Sequence, residues 1–267
     1  MLGVSGDHHI KLAAAVEFIH SATLLHDDIV DGSKLRRGKP AANRLWGNSA
    51  SVLVGDFLFA RSFSLMVETG HLAVLDILAN ASSVIAEGEV RQLAAIGDTQ
   101  LPISEYMAII EAKTAELFAA AARVSAVIAG AGAKSEQAFD QFGRSLGLAF
   151  QLVDDALDYA GDDQELGKYV GDDFREGKVT LPLTLAYQRG SELEKKWWDE
   201  VLEAEQRSTL DWNKACQLIE QYQGVQDSLA KAETFAATAK AALSSFPPSE
   251  IHSCLVDLCD FVVTRRR

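Results

Sequence analysis

Hydrophobic residues return every three or four positions through most of this chain, the period of helices with one buried face rather than the alternation of strands. Asp7 is a plausible N-cap, and a helix is predicted over residues 8–31. Residues 32–39 form a loop, Pro40 opens a short helix, and a longer one covers 49–68. Helical patterns continue over 71–97, 103–130 and 135–160, followed by a polar, glycine-bearing loop at 161–177. More charged helices then run from about Lys178 to the end. The prolines (Pro40, Pro102, Pro182, Pro247 and Pro248) sit where helices begin, where a missing N–H costs least. The expected fold class is all-α. No repeat, low-complexity tract or linker divides the 267 residues, so residues 1–267 read as a single domain.

Composition changes this picture little. An apolar content of 48% supports a sizeable core, and a net charge of −13 argues against a nucleic-acid partner. Three cysteines without CxxC spacing fit reduced thiols and a cytoplasmic location. His8, His9 and Lys11 interrupt any secretory signal. The most membrane-like stretch, 117–133, carries Arg123, and a buried bundle helix explains it better than a transmembrane segment.

The chemistry is concentrated in two aspartate clusters of identical spacing: Asp27, Asp28 and Asp31, then Asp154, Asp155 and Asp158. Positions i and i+4 share a helix face, so each cluster crowds carboxylates at the end of an apolar run. Such crowding is costly unless a cation joins it, and hard oxygen ligands suit Mg²⁺, which commonly shares its shell with substrate phosphates. One such motif could be a solvated acidic face; two, each ending an apolar stretch, favour a site. A basic segment follows each: Lys34, Arg36, Arg37 and Lys39 after the first, Lys168, Arg175 and Lys178 after the second. These cations suit a phosphate whose metals sit on the carboxylates.

Four stretches together resemble the trans-prenyltransferases of the polyprenyl diphosphate synthase family. They are HDDIVDGSKLRRGKPAANRLWGN (26–48), Lys113-Thr114, FQLVDDALDY (150–159) and GKYVGDDFREGKVTLPL (167–183), in the family's order. In detail they look most like the long-chain bacterial enzymes making octaprenyl or decaprenyl diphosphate for the ubiquinone side chain. The resemblance implies an isoprenoid synthase-type helical bundle around a central cavity, a homodimer, and Mg²⁺ held by the six aspartates. It implies isopentenyl diphosphate and an allylic diphosphate, such as farnesyl or geranylgeranyl diphosphate, as substrates. Carried over residue by residue, Arg36, Lys113, Lys168 and Lys178 would contact the allylic diphosphate. Thr114 and Gln151 would border the reacting carbons, and His20 and Arg37 would belong to the isopentenyl diphosphate site. The family begins with further helices bearing a Gly-Gly-Lys-x-x-Arg-type segment; these residues contain none, and the match starts inside the family's pattern. The implied isopentenyl site is therefore short of two cations.

Val16, Ile19, Ala22 and Thr23, one to three turns before Asp27, would line the cavity beneath the diphosphate. Short-chain relatives carry aromatic rings one turn before the first Asp. The small Ala22 and Thr23 here predict a deep cavity and long products, and Phe at either position should shorten them. The apolar stretch 116–133 is the expected dimer surface. His8 and His9 read as a helix start, Asp162, Asp163, Asp172 and Asp173 as loop-solvating residues, Trp197 and Trp198 as a helix–helix contact, and Cys254 and Cys259 as core. His26 points roughly 100° away from Asp27 and is left out of the site. Two other functions fit less well. A terpene cyclase would pair one DDxxD with an Asn/Ser/Glu-type second motif, and a non-catalytic partner subunit would not need intact aspartates and cations.

Overall fold

The computed structural model of the chain describes residues 1–3, 6–36, 38–160 and 171–265. The all-α expectation holds, with one small addition. Leu35–Arg36 (β1) and Lys39–Pro40 (β2) form a two-residue antiparallel ladder, so Pro40 ends a hairpin and the short helix α2 starts at Ala42, ending at Trp46.

α1 (His8–Val30) turns Leu12, Ala15, Ile19 and Ala22 inward. Asp7 occupies its N-cap position without a capping side-chain bond. α3 (Asn48–Glu68) packs along α1 at a close approach: a Cβ on Gly55 would lie 2.3 Å from the His26 ring. α4 (Leu72–Ala94) completes this half, where Leu12, Ile19, Met66, Val74, Leu78 and Val124 form one core.

The predicted single helix over 103–130 is instead α5 (Ile103–Ile110), a π turn at Glu111–Ala115, and α6 (Glu116–Ile128). α7 (Ala133–Ala160) is the central element and lies against the π turn and α6 through Gly143 and Gly147. A Cβ at Gly143 would sit 2.3 Å from the Phe118 carbonyl oxygen, and one at Gly147 2.6 Å from Ala115 Cα. Gly88 of α4 also approaches the π turn closely, where a Cβ would sit 2.8 Å from the Lys113 amide nitrogen. The helices that carry the candidate chemistry are thus in backbone contact, where any side chain would force them apart.

α8 (Asp172–Glu176) is one short turn between two left-handed glycines, Gly171 (φ 88°) and Gly177 (φ 78°). Phe174 anchors it in a shell of rings, 6.3 Å from Trp198 and 5.8 Å from Trp212 between centroids. Arg207 holds it from outside, donating to the Arg175 carbonyl (2.9 Å) and to the Leu202 carbonyl (2.6 Å). α9 (Leu181–Arg189), α10 (Glu192–Glu203) and α11 (Thr209–Gln221) follow, the last two begun by capping boxes at Ser191/Glu194 and Ser208/Asp211. α12 (Gly224–Leu243) packs along α7, and α13 (Glu250–Thr264) closes a further core around Phe142, Leu146 and Leu243.

Three expectations are corrected. Cys259 is buried in that core but Cys254 is exposed. Ala119, Ala120, Val124 and Ala126 of the 116–133 stretch are buried within the chain, so this stretch is not an exposed apolar surface. Large apolar side chains are exposed instead on α3 and α4, at Leu53, Val54, Phe57, Val90 and Leu93. Among the described residues α3, not 117–133, is the one helix long and apolar enough to cross a membrane.

Candidate active site

A cavity of about 820 Å³ opens between α1, α4, α5, α6, α7 and α8. Its polar lining includes Asp27, Asp31, Arg36, Glu89, Lys113, Asp154, Asp155, Asp158, Asp173 and Lys178. Its apolar lining includes Val16, Leu24, Ile85, Ile109, Leu117 and Phe118.

The two aspartate motifs are built alike. In each, the first and fifth residues line the cavity: Asp27 with Asp31, and Asp154 with Asp158. The second residue of each is buried, Asp28 at 3% exposure and Asp155 at 4%, and is engaged by the protein. Asp28 Oδ1 accepts from Arg36 Nε (2.9 Å) and Nη2 (2.5 Å), which holds that guanidinium in the cavity lining. Asp155 accepts from the Tyr106 hydroxyl (2.5 Å) and from Gln151 Nε2 (2.7 Å). Asp28, expected to share the metal-facing surface, is therefore an anchor for Arg36, because neighbouring residues on a helix point roughly 100° apart. Asp155 touches the cavity but spends both oxygens on internal donors.

Charge and burial set the protonation of these groups. Burial raises Asp27 to about 6, with Lys113 pulling it down and Glu89 and Asp31 adding to the rise. Burial likewise holds Asp155 well above the ordinary carboxylate range, helped by the charge of Asp173. For Lys178 burial works the other way, but Asp173, Glu176 and Asp31 outweigh it and keep the ammonium firmly charged. Its Nζ lies 2.9 Å from Asp31 and 2.7 Å from Glu176.

The π turn supplies the next pair. Lys113 Nζ donates to Glu89 Oε2 (2.8 Å) and Gln92 Oε1 (2.7 Å) and lies 4.0 Å from Asp27. Thr114 Oγ1 donates to Gln151 Oε1 at 2.8 Å, so Thr114, Gln151, Asp155 and Tyr106 form one continuous chain of hydrogen bonds. His20 also lines the cavity, as do Val16 and Thr23. Ile19 and Ala22 do not: both are buried, at 0% and 1% exposure, Ile19 against the core of α3 and α4. Ala121, Leu117 and Phe118 of α6 take the place expected of them. Arg37 and Lys168, and Asp162 and Asp163, lie outside the described residues.

Glu89, Gln92 and Tyr106 were not apparent from the sequence. Only the i,i+3 spacing of Glu89 and Gln92 near the end of an apolar helix hinted at them, and nothing marked Tyr106. Asp172 and Asp173, expected to solvate a loop, line the cavity instead, and the Asp173 amide donates to Asp158 Oδ2 at 3.0 Å.

The donor set suits a hard divalent cation: carboxylate oxygens, partly desolvated, with Asp27 pushed toward neutrality chiefly by burial and further by Glu89 and Asp31. Among the described residues no three His, Cys, Asp or Glu side chains converge tightly enough to hold a metal alone, so ligand oxygens would have to complete the shell. Phosphate oxygens would suit that need, and Lys113, Lys178 and Arg36, which line the same cavity, have the charge to meet a phosphate.

Comparison with known proteins places the chain in a family. The polyprenyl synthetase family model matches residues 1–219. The chain is 42% identical to octaprenyl diphosphate synthase of Haemophilus influenzae over 265 residues, 99% of this chain and 80% of that one. It is 52% identical over 190 residues to the Escherichia coli octaprenyl diphosphate synthase, 71% of this chain but only 59% of that enzyme's length. Its fold superposes on the crystal structure of polyprenyl synthase from Caulobacter crescentus CB15, complexed with calcium and isoprenyl diphosphate, with a TM-score of 0.96 and 53% identity, covering 100% of this chain and 81% of that one. A decaprenyl diphosphate synthase from Rhodobacter capsulatus matches with a TM-score of 0.94 and 47% identity, covering 100% and 82%. The chain belongs to the polyprenyl synthetase family.

Proposed function

We propose that this chain condenses isopentenyl diphosphate head-to-tail with an allylic diphosphate, extending it to a long trans-polyprenyl diphosphate of the octaprenyl to decaprenyl class. The observation that carries this is one cavity lined by two aspartate pairs, by the cations Arg36, Lys113 and Lys178, and by a set of apolar side chains. That division suits a diphosphate head and a hydrocarbon tail, and the named activities of the relatives point the same way.

In this reading Asp27, Asp31, Asp154 and Asp158 would hold Mg²⁺ on the allylic diphosphate; the metal would supply charge to stabilise the departing diphosphate. Lys113, Lys178 and Arg36 take up charge on the same oxygens as the allylic C–O bond lengthens, already aimed by Glu89, Asp31 and Asp28. The isopentenyl double bond attacks the allylic cation, and a proton leaves the adduct to the released diphosphate. His20, on the same wall as Asp27, belongs to the isopentenyl side. Thr114 and Gln151 border the reacting carbons with their polar atoms turned to each other, leaving little to quench a cation. The apolar wall keeps water away and receives the growing chain.

We place a second copy of the chain on α3 and α4, because Leu53, Val54, Phe57, Val90 and Leu93 are too large an apolar set to leave in water. Free cysteines fit a reducing, cytoplasmic setting. Incubating purified protein with Mg²⁺, isopentenyl diphosphate and farnesyl diphosphate tests the reading. Elongated trans-polyprenyl products are expected; cyclised products, or none, would sink it.

A further inference from the structure

The site depends on a break in helix geometry between α5 and α6. The amide of Glu116 donates to the carbonyl of Glu111, five residues back, and this bond defines the π turn that carries Lys113 and Thr114. The side chains of those same two residues are held by one guanidinium on α7. Arg144 Nη1 lies 2.7 Å from Glu116 Oε2 and 3.2 Å from Glu111 Oε1, and the other edge of the fork reaches Asp140 at 3.4 Å.

The coincidence has geometric content. In a regular α-helix, residues five apart are turned roughly 140° from each other, so their carboxylates diverge. The wider π turn brings positions 111 and 116 onto one face, much as i and i+4 lie on an α-helix, where one nitrogen reaches both. Closing the turn to α-helical register would separate the two glutamates and leave a partly buried cation with fewer partners. The same contact ties the turn to α7, the helix that carries Gln151 and the second aspartate motif, where Gly143 and Gly147 already bring the backbones together.

We propose that Arg144 is a positioning residue: by clamping Glu111 to Glu116 it holds the π turn open and so aims Lys113 and Thr114 at the cavity. This rests on the condensation reading for its kinetic consequence, though not for its geometry. Arg144 acts through Lys113 and Thr114 and does not line the cavity itself.

Arg123 supplies the control. It joins the same two helices through Glu136 at 3.6 Å, away from the π turn. Arg144→Met should lower kcat by about ten- to a hundredfold with a much smaller change in KM, since misplacing a reacting group by an ångström costs on that scale. Arg123→Met should stay within about twofold of wild type, as expected for a half-exposed ion pair. Glu111→Gln, at an accessible position that should not compromise folding, should give part of the Arg144→Met loss, and the double variant should lose little more than Arg144→Met alone. Equal losses in Arg144→Met and Arg123→Met, or a folded Glu111→Gln enzyme with unchanged kcat, would overturn the clamp. If Arg144→Met does not fold, Glu111→Gln decides alone. A wild type that makes no product would defeat the condensation reading instead. The clamp is then read by calorimetry with inorganic diphosphate and Mg²⁺, where weaker binding by Glu111→Gln than by Arg123→Met supports it and equal binding overturns it.

Discussion

Lys178 Nζ donates to Asp31 Oδ2 at 2.9 Å, joining the turn after α8 to the last carboxylate of the first aspartate motif. The same segment reaches the second motif through its backbone. The Lys178 amide donates to the Asp173 carbonyl at 2.8 Å, and the Asp173 amide donates to Asp158 Oδ2 at 3.0 Å. One short helical turn, pinned by Phe174 and Arg207, thus sets the position of one motif's end relative to the other. Lys178→Met should therefore do two things. It leaves Asp31 and Glu176 as partly buried, unpaired charges, a loss of about 3 kcal/mol in urea unfolding without Mg²⁺. It should also lower turnover, because the cation meant for the diphosphate is gone. A variant with wild-type stability and turnover would show that Lys178 neither braces the motifs nor meets the substrate.

The split within each motif gives a graded prediction. Asp27→Ala or Asp154→Ala removes a cavity-facing carboxylate and should lower kcat by about 10²–10³-fold, the scale of losing a principal electrostatic contact in a closed site. Asp28→Asn leaves the cavity carboxylates intact and loosens Arg36, so it should cost only about tenfold, chiefly in KM for the allylic substrate. Helical circular dichroism checks that the variants fold. Losses of equal size at Asp27 and Asp28 would argue that both face the metal.

Magnesium should bind weakly until a diphosphate is present, because among the described residues no three such side chains converge and the paired carboxylates repel one another when alone. Calorimetry with Mg²⁺, with and without a non-hydrolysable allylic diphosphate analogue, measures this. Tight binding of the metal alone would count against a shell shared with the ligand.

Much of this was legible in the chain because helical periodicity and helix-end chemistry are local. The all-α fold, the two aspartate clusters and the pairing of Arg36 with the first follow from residues within a few turns of one another. Lys178, expected behind the second motif, pairs instead with Asp31 of the first across 147 residues. What was hidden depends on phase and on distance. The run Glu111 to Glu116 contains no proline or glycine, so nothing in it announces a π turn; the turn is kept by Arg144, far along the chain. Ala22 and Thr23 are adjacent and both small, yet one is buried off the cavity and the other lines it. Only the packing of α1 on its neighbours decides which is which. Tyr106 reaches Asp155 across a separation of 49 residues that no spacing rule connects.

The apolar face on α3 and α4 predicts a homodimer that charge should dissolve. Phe57 is 65% and Leu53 67% exposed, and a stable interface buries such side chains at its centre. Phe57→Glu should shift sedimentation at micromolar concentration from dimer to monomer. A wild type that sediments as a monomer would remove the proposed partner, and an unshifted Phe57→Glu dimer would place the interface elsewhere.

Product length should be governed from α6 and from the cavity side of α1, not from Ala22. Ala121 and Thr23 line the cavity, whereas Ala22 is 1% exposed and off its wall. A phenyl ring at position 121 has open space to enter, so Ala121→Phe should place a floor under the growing chain and shorten the products while condensation continues; Thr23→Phe should do the same from the facing helix. Ala22→Phe meets close-packed neighbours instead, and overpacking of that kind costs about 1–3 kcal/mol of stability. Its products should keep the wild-type length even as its melting temperature falls. Chromatography of the dephosphorylated products, alongside thermal unfolding of the three variants, separates the two effects. Shortened products from Ala22→Phe with unchanged stability would mean that the cavity reaches position 22, and an unaltered product spectrum in Ala121→Phe would remove α6 from the control of chain length.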